Sequence, residues 1–459
     1  MVLEDTIAAI STPAGEGAIA IVRMSGPQAI AIADKLFMGK AKLEGAPSHS
    51  LHHGRIVDPQ NGQFVDDVLV SLMRAPTTYT GDNMVEINCH GGLLVTRKIL
   101  ELTLGSGARL ATPGEFTRRA FLNGRMDLAQ AEAVVDLIRS KANLSMKVAL
   151  DQLSGGLSRE IGEIRQRIIE ALAFVEVELD FSDQELDANA RKQALFSLKG
   201  AEKSVSRLLR GARIGQQLRE GFSVVIIGRP NVGKSSLFNT LLQTSRAIVT
   251  HIPGTTRDTI CEQIELQGIP IRLVDTAGLH AGRGLVEKEG VRRTREQMNG
   301  AALLIVLLDG SEALRKEDRK ILQETESRTR SVVINKMDLP RVLDSNELEK
   351  LSLGRLGMSI SAKRGDGISN LVREIRRKLL DGQGPDVTEP LVSRVRHRDA
   401  LKKTMRSIWR ARRGLTRGTS EEVVAVDLRE ALLALGQITG ETCNEEILEY
   451  IFSQFCVGK

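Results

Sequence analysis

Cysteine is scarce in this chain: four residues, Cys89, Cys261, Cys443 and Cys456, among 459. They lie far apart, and no pair has zinc-ligand spacing, which argues against a ribbon or finger site. A disulfide framework is equally out of place, because such frameworks belong to short, cysteine-dense chains. Long apolar runs are missing too. A membrane helix needs about 18 uninterrupted apolar residues, whereas the longest such run here, residues 301–308, is the length of one strand. The first five residues, Met1-Val2-Leu3-Glu4-Asp5, carry acid where secretory and transit peptides carry base. The expectation is a cytoplasmic chain with no membrane association. There is no internal repeat and no low-complexity tract. Net charge is only +6, from 64 Lys and Arg against 58 Asp and Glu, so its placement matters more than its sum.

What is present suits a soluble globular protein: 41% hydrophobic and 27% charged residues. At about 150 residues per domain the length implies roughly three domains. Residues 1–120 are rich in Gly, Pro and Thr, with strand-like stretches at 18–22 and 68–72 and helical ones near 27–36 and 93–105, an α+β pattern. At Asp127 the texture changes. Asp127 with Gln130 resembles a capping box, and Leu128, Ala131, Val134, Val135, Ile138 and Ala142 then recur at helical spacing. Ile161, Ile164, Ile168, Leu172, Val175 and Leu179 continue as a near-heptad seam suited to a bundle core. From Phe222 to about Leu380 strands alternate with helices, the pattern of a mostly parallel, doubly wound sheet. Helical periodicity resumes after Gly382-Gln383-Gly384-Pro385. The expected fold class is therefore α/β + α. An α+β N-terminal domain (1–120) is followed by a discontinuous helical bundle (121–215 and 383–459), with a nucleotide-binding α/β domain (216–382) inserted in it.

The chemistry is most legible in that insert. Gly228-Arg-Pro-Asn231-Val232-Gly233-Lys234-Ser235 fits G-x-x-x-x-G-K-[ST], follows the strand-like residues 223–227, and opens a helix whose apolar face carries Leu237, Phe238, Leu241 and Leu242. Glycines let backbone N–H groups, including those toward Ser236, wrap phosphates; the helix N-terminus adds its positive end, and Lys234 adds a full charge. The Ser235 hydroxyl suits Mg²⁺. Asp275-Thr276-Ala277-Gly278 closes the next strand with an acid able to hold the metal indirectly and a Gly whose N–H can meet a γ-phosphate. Asn335-Lys336-Met337-Asp338 follows a further strand, and its terminal carboxylate can accept both N1–H and N2–H₂ of guanine. Adenine would leave that carboxylate unpaired, at a cost of about 1–3 kcal/mol or more. Ser361-Ala362-Lys363 completes the base pocket. Three motifs in this order specify GTP.

Between the phosphate loop and Asp275 lies Thr250-His251-Ile252-Pro253-Gly254-Thr255-Thr256, where a threonine, Thr256, can ligate Mg²⁺ only while the γ-phosphate is present, a switch. One absence is informative. Leu279 occupies the place where Ras-type switches carry the glutamine that orients the attacking water. Glu287 is the nearest candidate for that work, and a solvated acid on a helix is its other reading.

Taken together these residues resemble the MnmE (TrmE) family of tRNA modification GTPases. The likeness extends over the chain: Asp5-Thr6-Ile7-Ala8-Ala9-Ile10, Glu86 ahead of His90-Gly91-Gly92, Pro113-Gly114-Glu115-Phe116-Thr117, Asp127-Leu128-Ala129-Gln130-Ala131-Glu132, Ile438-Thr439-Gly440-Glu441 and Phe455-Cys456-Val457-Gly458-Lys459. The resemblance implies a homodimer formed through an N-terminal domain that binds 5-formyltetrahydrofolate or a related folate. It implies an MnmG-type flavoprotein partner that carries the FAD. Together the two would add an aminomethyl or carboxymethylaminomethyl group at C5 of the wobble uridine of certain tRNAs. By motif position the folate contacts are Arg23, Glu86, Arg125 and Lys459, with Arg125 standing where lysine is usual. The resemblance also implies a K⁺ ion held by Asn231, Thr250, Ile252 and Thr255, and makes Glu287 the catalytic glutamate. His280 and Arg283-Gly284 depart from the family pattern between them.

Two further features stay open on the sequence. Cys456 is either a nucleophile reaching an active site or part of a lid over the folate. Arg394, Arg396, Arg398, Lys402, Lys403, Arg406, Arg410, Arg412, Arg413 and Arg417, against the single acid Asp399, form either a tRNA phosphate-binding surface or a solvated or partner-docking helix face. The competing functional class is a ribosome-assembly or other RNA-binding regulatory GTPase without covalent RNA chemistry, which would need neither the Cys456 tail nor a folate-type domain.

Overall fold

The structure is a computed structural model that describes residues 5–180, 188–244, 246–247, 261–275, 296–344, 347–348, 357–380 and 390–459. Contacts divide the chain into two units. One comprises Met1–Val135, Leu153–Arg191 and Arg413–Lys459; the other comprises Asp136–Gln152 and Lys192–Arg412. No helix among the described residues is long and apolar enough to cross a membrane.

The first unit opens with a seven-stranded sheet. Its strands are β1 (Ile7–Ile10), β2 (Ile19–Ser25), β3 (Phe37–Gly39), β4 (Ser50–Val57), β5 (Phe64–Met73), β6 (Met84–His90) and β7 (Arg109–Leu110). The spatial order is β3-β4-β5-β6-β2-β1-β7, with only the β1–β7 pair parallel. In β5, Val68, Val70 and Leu72 are buried while Asp67 and Leu69 are exposed, the alternation of a sheet covered on one face. The covering helices are α1 (Ala29–Leu36) and α2 (Leu93–Gly105), which contribute Ile30, Ala33 and Ile99 to the core. Helix α3 (Glu115–Leu122) follows the sheet.

Helix α4 (Leu128–Arg139) begins at a reciprocal capping box: Asp127 N–H donates to Gln130 Oε1 (3.0 Å), and Gln130 N–H donates to Asp127 Oδ1 (2.9 Å). It ends earlier than its apolar periodicity, which runs on to Ala142. The Ser145 hydroxyl donates to Ala142 C=O (2.8 Å) and accepts from its N–H (3.2 Å), giving that backbone a local alternative to helix just before α5 (Asn143–Leu153) starts. In α6 (Gly156–Asp180) the seam residues Ile161, Ile164, Ile168 and Val175 are fully buried, and Leu172 and Leu179 are half-buried.

The second unit contains helix α7 (Ala188–Glu220) and the second sheet. Its strands are β8 (Phe222–Ile227), β9 (Arg246–Ala247), β10 (Cys261–Leu266), β11 (Ile269–Asp275), β12 (Leu303–Asp309), β13 (Arg330–Asn335) and β14 (Met358–Ser359), in the order β14-β13-β12-β8-β11-β10-β9. The five strands from β14 to β11 are parallel, and β10 and β9 are antiparallel. Both faces are covered, so every residue of β8 and of β12 is buried. Val224, Ile226, Leu303 and Ile305 meet α8 (Lys234–Thr244) and, by Leu371 and Ile375, the later helix Ile368–Leu379 on one face. Val225, Ile227, Leu304 and Val306 meet Leu322 of α9 (Lys316–Glu324) on the other. This is the doubly wound arrangement, and the continuous apolar runs follow from it. The helix Ile368–Leu379 is α10, and the basic segment forms α11 (Val395–Arg417).

The chain returns to the first unit with α12 (Glu421–Thr439), which packs along α6, and α13 (Glu445–Ser453). Leu448, Ile451, Phe452 and Phe455 pack against Leu128, Ala131 and Val135 of α4. That cluster holds the start of residues 456–459 beside the N-terminal sheet.

Candidate functional site

In the second unit the motif residues gather at the carboxyl ends of β8, β11 and β13, the crevice where open parallel sheets bind ligands. The loop after β8 needs unusual backbone. Gly233 has φ +99°, and a side chain there would collide with the Asn335 amide; Asn231, exposed at the turn, has φ +64°. Lys234 opens α8 with its ammonium donating to the carbonyls of Gly228 and Arg229, both at 2.9 Å. Burial pushes its pKa down, against the opposing pull of Asp275. Asp275 closes β11 in register with Ile226 of β8, which brings its Oδ2 to 3.0 Å from the Ser235 hydroxyl.

Asn335 ties this loop to the base-pocket segments. It is 3% exposed at the end of β13. Its Nδ2 donates to Val232 C=O and its Oδ1 accepts from Ala362 N–H, each at 2.9 Å. The Thr240 hydroxyl donates to Ala362 C=O at 2.8 Å, so the same residue is held from α8 as well. The buried Ser361 hydroxyl donates to Asp338 Oδ1 at 2.7 Å. That bond, a backbone N–H bond and the nearby charges of Arg364 and Lys363 hold the Asp338 carboxyl below its usual range. Lys336 has φ +65° and pairs with Asp309 Oδ2 at 2.6 Å. Met337, Ser236 and Lys363 complete the described part of the set, Lys363 and Ser236 being exposed. Thr250, His251, Ile252, Pro253, Gly254, Thr255, Thr256, Thr276, Ala277, Gly278 and Glu287 lie outside the described residues.

A second carboxylate-rich cluster joins the phosphate loop to the Asn335-Lys336 turn and escaped the sequence reading. Arg229, inside the phosphate loop, donates to Glu312 (2.6 Å) and Asp318 (3.2 Å), with Asp309 at 3.8 Å. Burial raises the Asp309 pKa, but the bonds from Lys336 and Ser311 outweigh it and leave the carboxyl below its ordinary value. The available signal was an acid closing the all-apolar strand 303–308, the place from which a side chain reaches this crevice.

In the first unit, cross-strand register sets Arg23 on β2 opposite Glu86 on β6. Their side chains form an ion pair (Arg23 Nε to Glu86 Oε1, 2.8 Å) above Tyr79 and Phe116, whose rings lie 6.0 and 5.7 Å from the guanidinium carbon. The terminal segment lies on this pair. Gly458 C=O accepts from Arg23 Nη1 and from Ser11 Oγ, both at 3.2 Å, and Cys456 C=O accepts from Gly114 N–H at 3.4 Å. Gly458 has φ +96°, and a Cβ there would run into the Ile10 carbonyl. Burial and the Arg23 charge lower the Lys459 pKa, while Glu86 and Cys456 oppose them. Arg23, Glu86, Lys459 and Cys456 are thus brought together. Arg125 is exposed after α3, beside Gly81.

Residues 128–456 match the model of the MnmE helical domain, and residues 6–125 match that of the GTP-binding protein TrmE N-terminus. The tRNA modification GTPase MnmE of Carboxydothermus hydrogenoformans is 47% identical over 460 residues, covering 100% of both chains. That of Enterococcus faecalis is 46% identical over 457 residues, covering 99% of this chain and 98% of its own. That of Geobacter sulfurreducens is 46% identical over 460 residues, covering 100% of both. Family models over both the N-terminal and the helical regions, with full-length relatives near half identity, establish that this chain belongs to the MnmE family of tRNA modification GTPases.

Proposed function

We propose that this chain binds and hydrolyses GTP and that the hydrolysis serves modification of the wobble uridine of certain tRNAs. The observation that carries the nucleotide part is Asn335, which fastens the phosphate loop and the Ser361-Ala362 segment to one strand end. With those segments fixed, the Asp338 carboxylate would accept the two N–H donors of guanine. Lys234 would exchange its carbonyl partners for β- and γ-phosphate oxygens, aided by the N–H groups from Gly233 to Ser236. The Ser235–Asp275 oxygen pair suits magnesium, which takes hard oxygen ligands and keeps several waters. In this reading Ser235 and Thr256 hold the ion directly and Asp275 acts through water. Bound magnesium supplies positive charge against the β- and γ-oxygens.

Leu279 cannot orient water, so the reading assigns that work to Glu287. A potassium ion held by Asn231, Thr250, Ile252 and Thr255 would take the place of an arginine finger, because it carries the same unit charge. In the N-terminal domain the donor set also fits a folate. Glu86 can accept the paired N–H groups of a pterin, and Arg23, Lys459 and Arg125 can meet carboxylates. We assign Cys456 a place in the modification chemistry, a homodimer as the working form, an MnmG-type FAD protein as partner, and the cytoplasm as location.

The test is turnover by the purified chain in potassium and in sodium buffers, with GTP and with ATP. The reading expects GTP hydrolysis that needs magnesium, is faster in potassium and collapses in Lys234→Ala. Equal turnover of ATP would contradict the guanine assignment, and equal rates in the two buffers would contradict the potassium site.

A further inference from the structure

The ten bases of residues 394–417 do not all face the same way. The buried row of α11 is His397, Leu401, Thr404, Ile408, Ala411 and Leu415, each 0–2% exposed and spaced by four, three, four, three and four. That row settles which face is outward. Arg394 turns to Asp136 (2.8 Å), Arg412 to Glu202 (2.7 Å) and Arg398 to Asp399 (3.2 Å), so these three are engaged within the fold. Lys402, Lys403, Arg406 and Arg410 are exposed on the opposite side, Arg410 also donating to the Ser407 hydroxyl at 3.2 Å. Between them stands Trp409, 47% exposed and the only tryptophan in the chain. Trp409 follows Arg406 by three residues and Lys402 precedes it by four, so the three share one outward row.

We infer that this outward face of α11, Lys402, Lys403, Arg406 and Arg410 around Trp409, is a docking surface for RNA with unpaired nucleotides. The cations would take phosphates and the indole would stack on an unpaired base. The inference rests on the tRNA reading above and assigns it a surface. Four cations set at helical spacing match a run of phosphates, and their contribution is independent of sequence. An aromatic ring held among such cations is the device by which proteins take up unstacked bases of single-stranded loops. A basic amphipathic helix also suits a lipid surface, but the apolar face of this one is already spent on the row from His397 to Leu415. Asp399 is the single acid of the helix, and its partner Arg398 neutralises it.

The lone tryptophan makes the test direct. The full-length chain is titrated with a transcribed tRNA while intrinsic fluorescence is followed, and separately with a fully paired RNA duplex of equal length. Stacking quenches Trp409 with the tRNA and leaves it nearly unchanged with the duplex. Trp409→Ala weakens tRNA binding about ten-fold, and Trp409→Phe restores most of the loss because a ring remains. Replacing Lys402, Lys403, Arg406 and Arg410 by Gln lowers the slope of log K against log salt by about 3, from about 0.7–0.9 for each phosphate contact. None of these variants changes intrinsic GTP hydrolysis. A chain that binds no tRNA at all overturns the functional reading on which the inference rests. A chain that binds tRNA with unquenched Trp409 and an unchanged salt slope in the four-fold variant overturns the inference alone. Loss of association with a flavoprotein partner, with tRNA binding intact, would reassign the face to protein and overturn it as well.

Discussion

Replacing Asn335 by alanine removes two hydrogen bonds at once, each to a buried backbone group. Val232 C=O loses its donor and Ala362 N–H loses its acceptor, both now at 2.9 Å. A buried polar group left without a partner costs about 1–3 kcal/mol, so the pair amounts to about 2–6 kcal/mol. The same change frees space beside Gly233, whose left-handed backbone lies against the Asn335 amide. Part of the loss falls on the stability of the second unit and part on nucleotide binding, because the phosphate loop is no longer held in its binding conformation. Each 1.4 kcal/mol that reaches binding weakens it ten-fold. Titration with a fluorescent GTP analogue, alongside thermal unfolding with and without nucleotide, measures both shares. Asn335→Asp is the control: one carboxylate oxygen keeps the Ala362 bond, while the other meets the Val232 carbonyl without a proton to donate. It should fall as far as alanine or further. An alanine variant with unchanged GTP affinity and unchanged unfolding would refute the claim that Asn335 organises the site.

Three other outcomes follow from single contacts. Asp338→Asn keeps the size of the side chain but loses one acceptor for guanine. GTP affinity should fall about 10- to 150-fold, from about 1.5–3 kcal/mol for a hydrogen bond to a charged group, while a xanthine nucleotide regains it; a competition assay reads the exchange. Glu115 is 7% exposed and pairs with Arg109 (2.6 Å) and the buried Arg119 (3.1 Å). Burial raises its pKa but the Arg109 bond, the Thr112 N–H and Arg119 outweigh it, leaving the folded value below 4.5. Its stabilisation is therefore complete above pH 4.5 and lost as pH falls through the lowered folded value. Glu115→Gln should cost about 2 kcal/mol at pH 7, and urea unfolding should show that cost shrinking in acid. Gly458→Ala puts a Cβ against the Ile10 carbonyl at φ +96°, so hydrogen exchange of residues 456–459 should accelerate while GTP hydrolysis stays unchanged.

Much of this was legible in the sequence wherever the cause is local. The phosphate loop, the Asp127–Gln130 capping box and the continuous apolar strands of the second sheet each depend on residues a few positions apart or on burial of both faces. Cross-chain partners were not. Asn335 reaches Val232 across 103 residues and Gly458 meets Arg23 across 435, and no periodicity encodes such a meeting. The apolar pattern running to Ala142 also gave no sign that α4 ends at Arg139, beyond which the Ser145 hydroxyl bonds the Ala142 backbone. The inward turn of Arg394 and Arg412 could not be read from a run of bases either, because the acids that hold them, Asp136 and Glu202, come from α4 and α7.

The central claim is that GTP hydrolysis by this chain serves modification of wobble uridine. Mass analysis of tRNA nucleosides from cells lacking it, complemented with the intact chain or with Lys234→Ala, tests that most directly. The account predicts that the C5 aminomethyl-type group disappears from the wobble uridine of the affected tRNAs. It predicts return of that group with the intact chain and not with the phosphate-loop variant. Wobble uridines that keep the group in cells without the chain would contradict it.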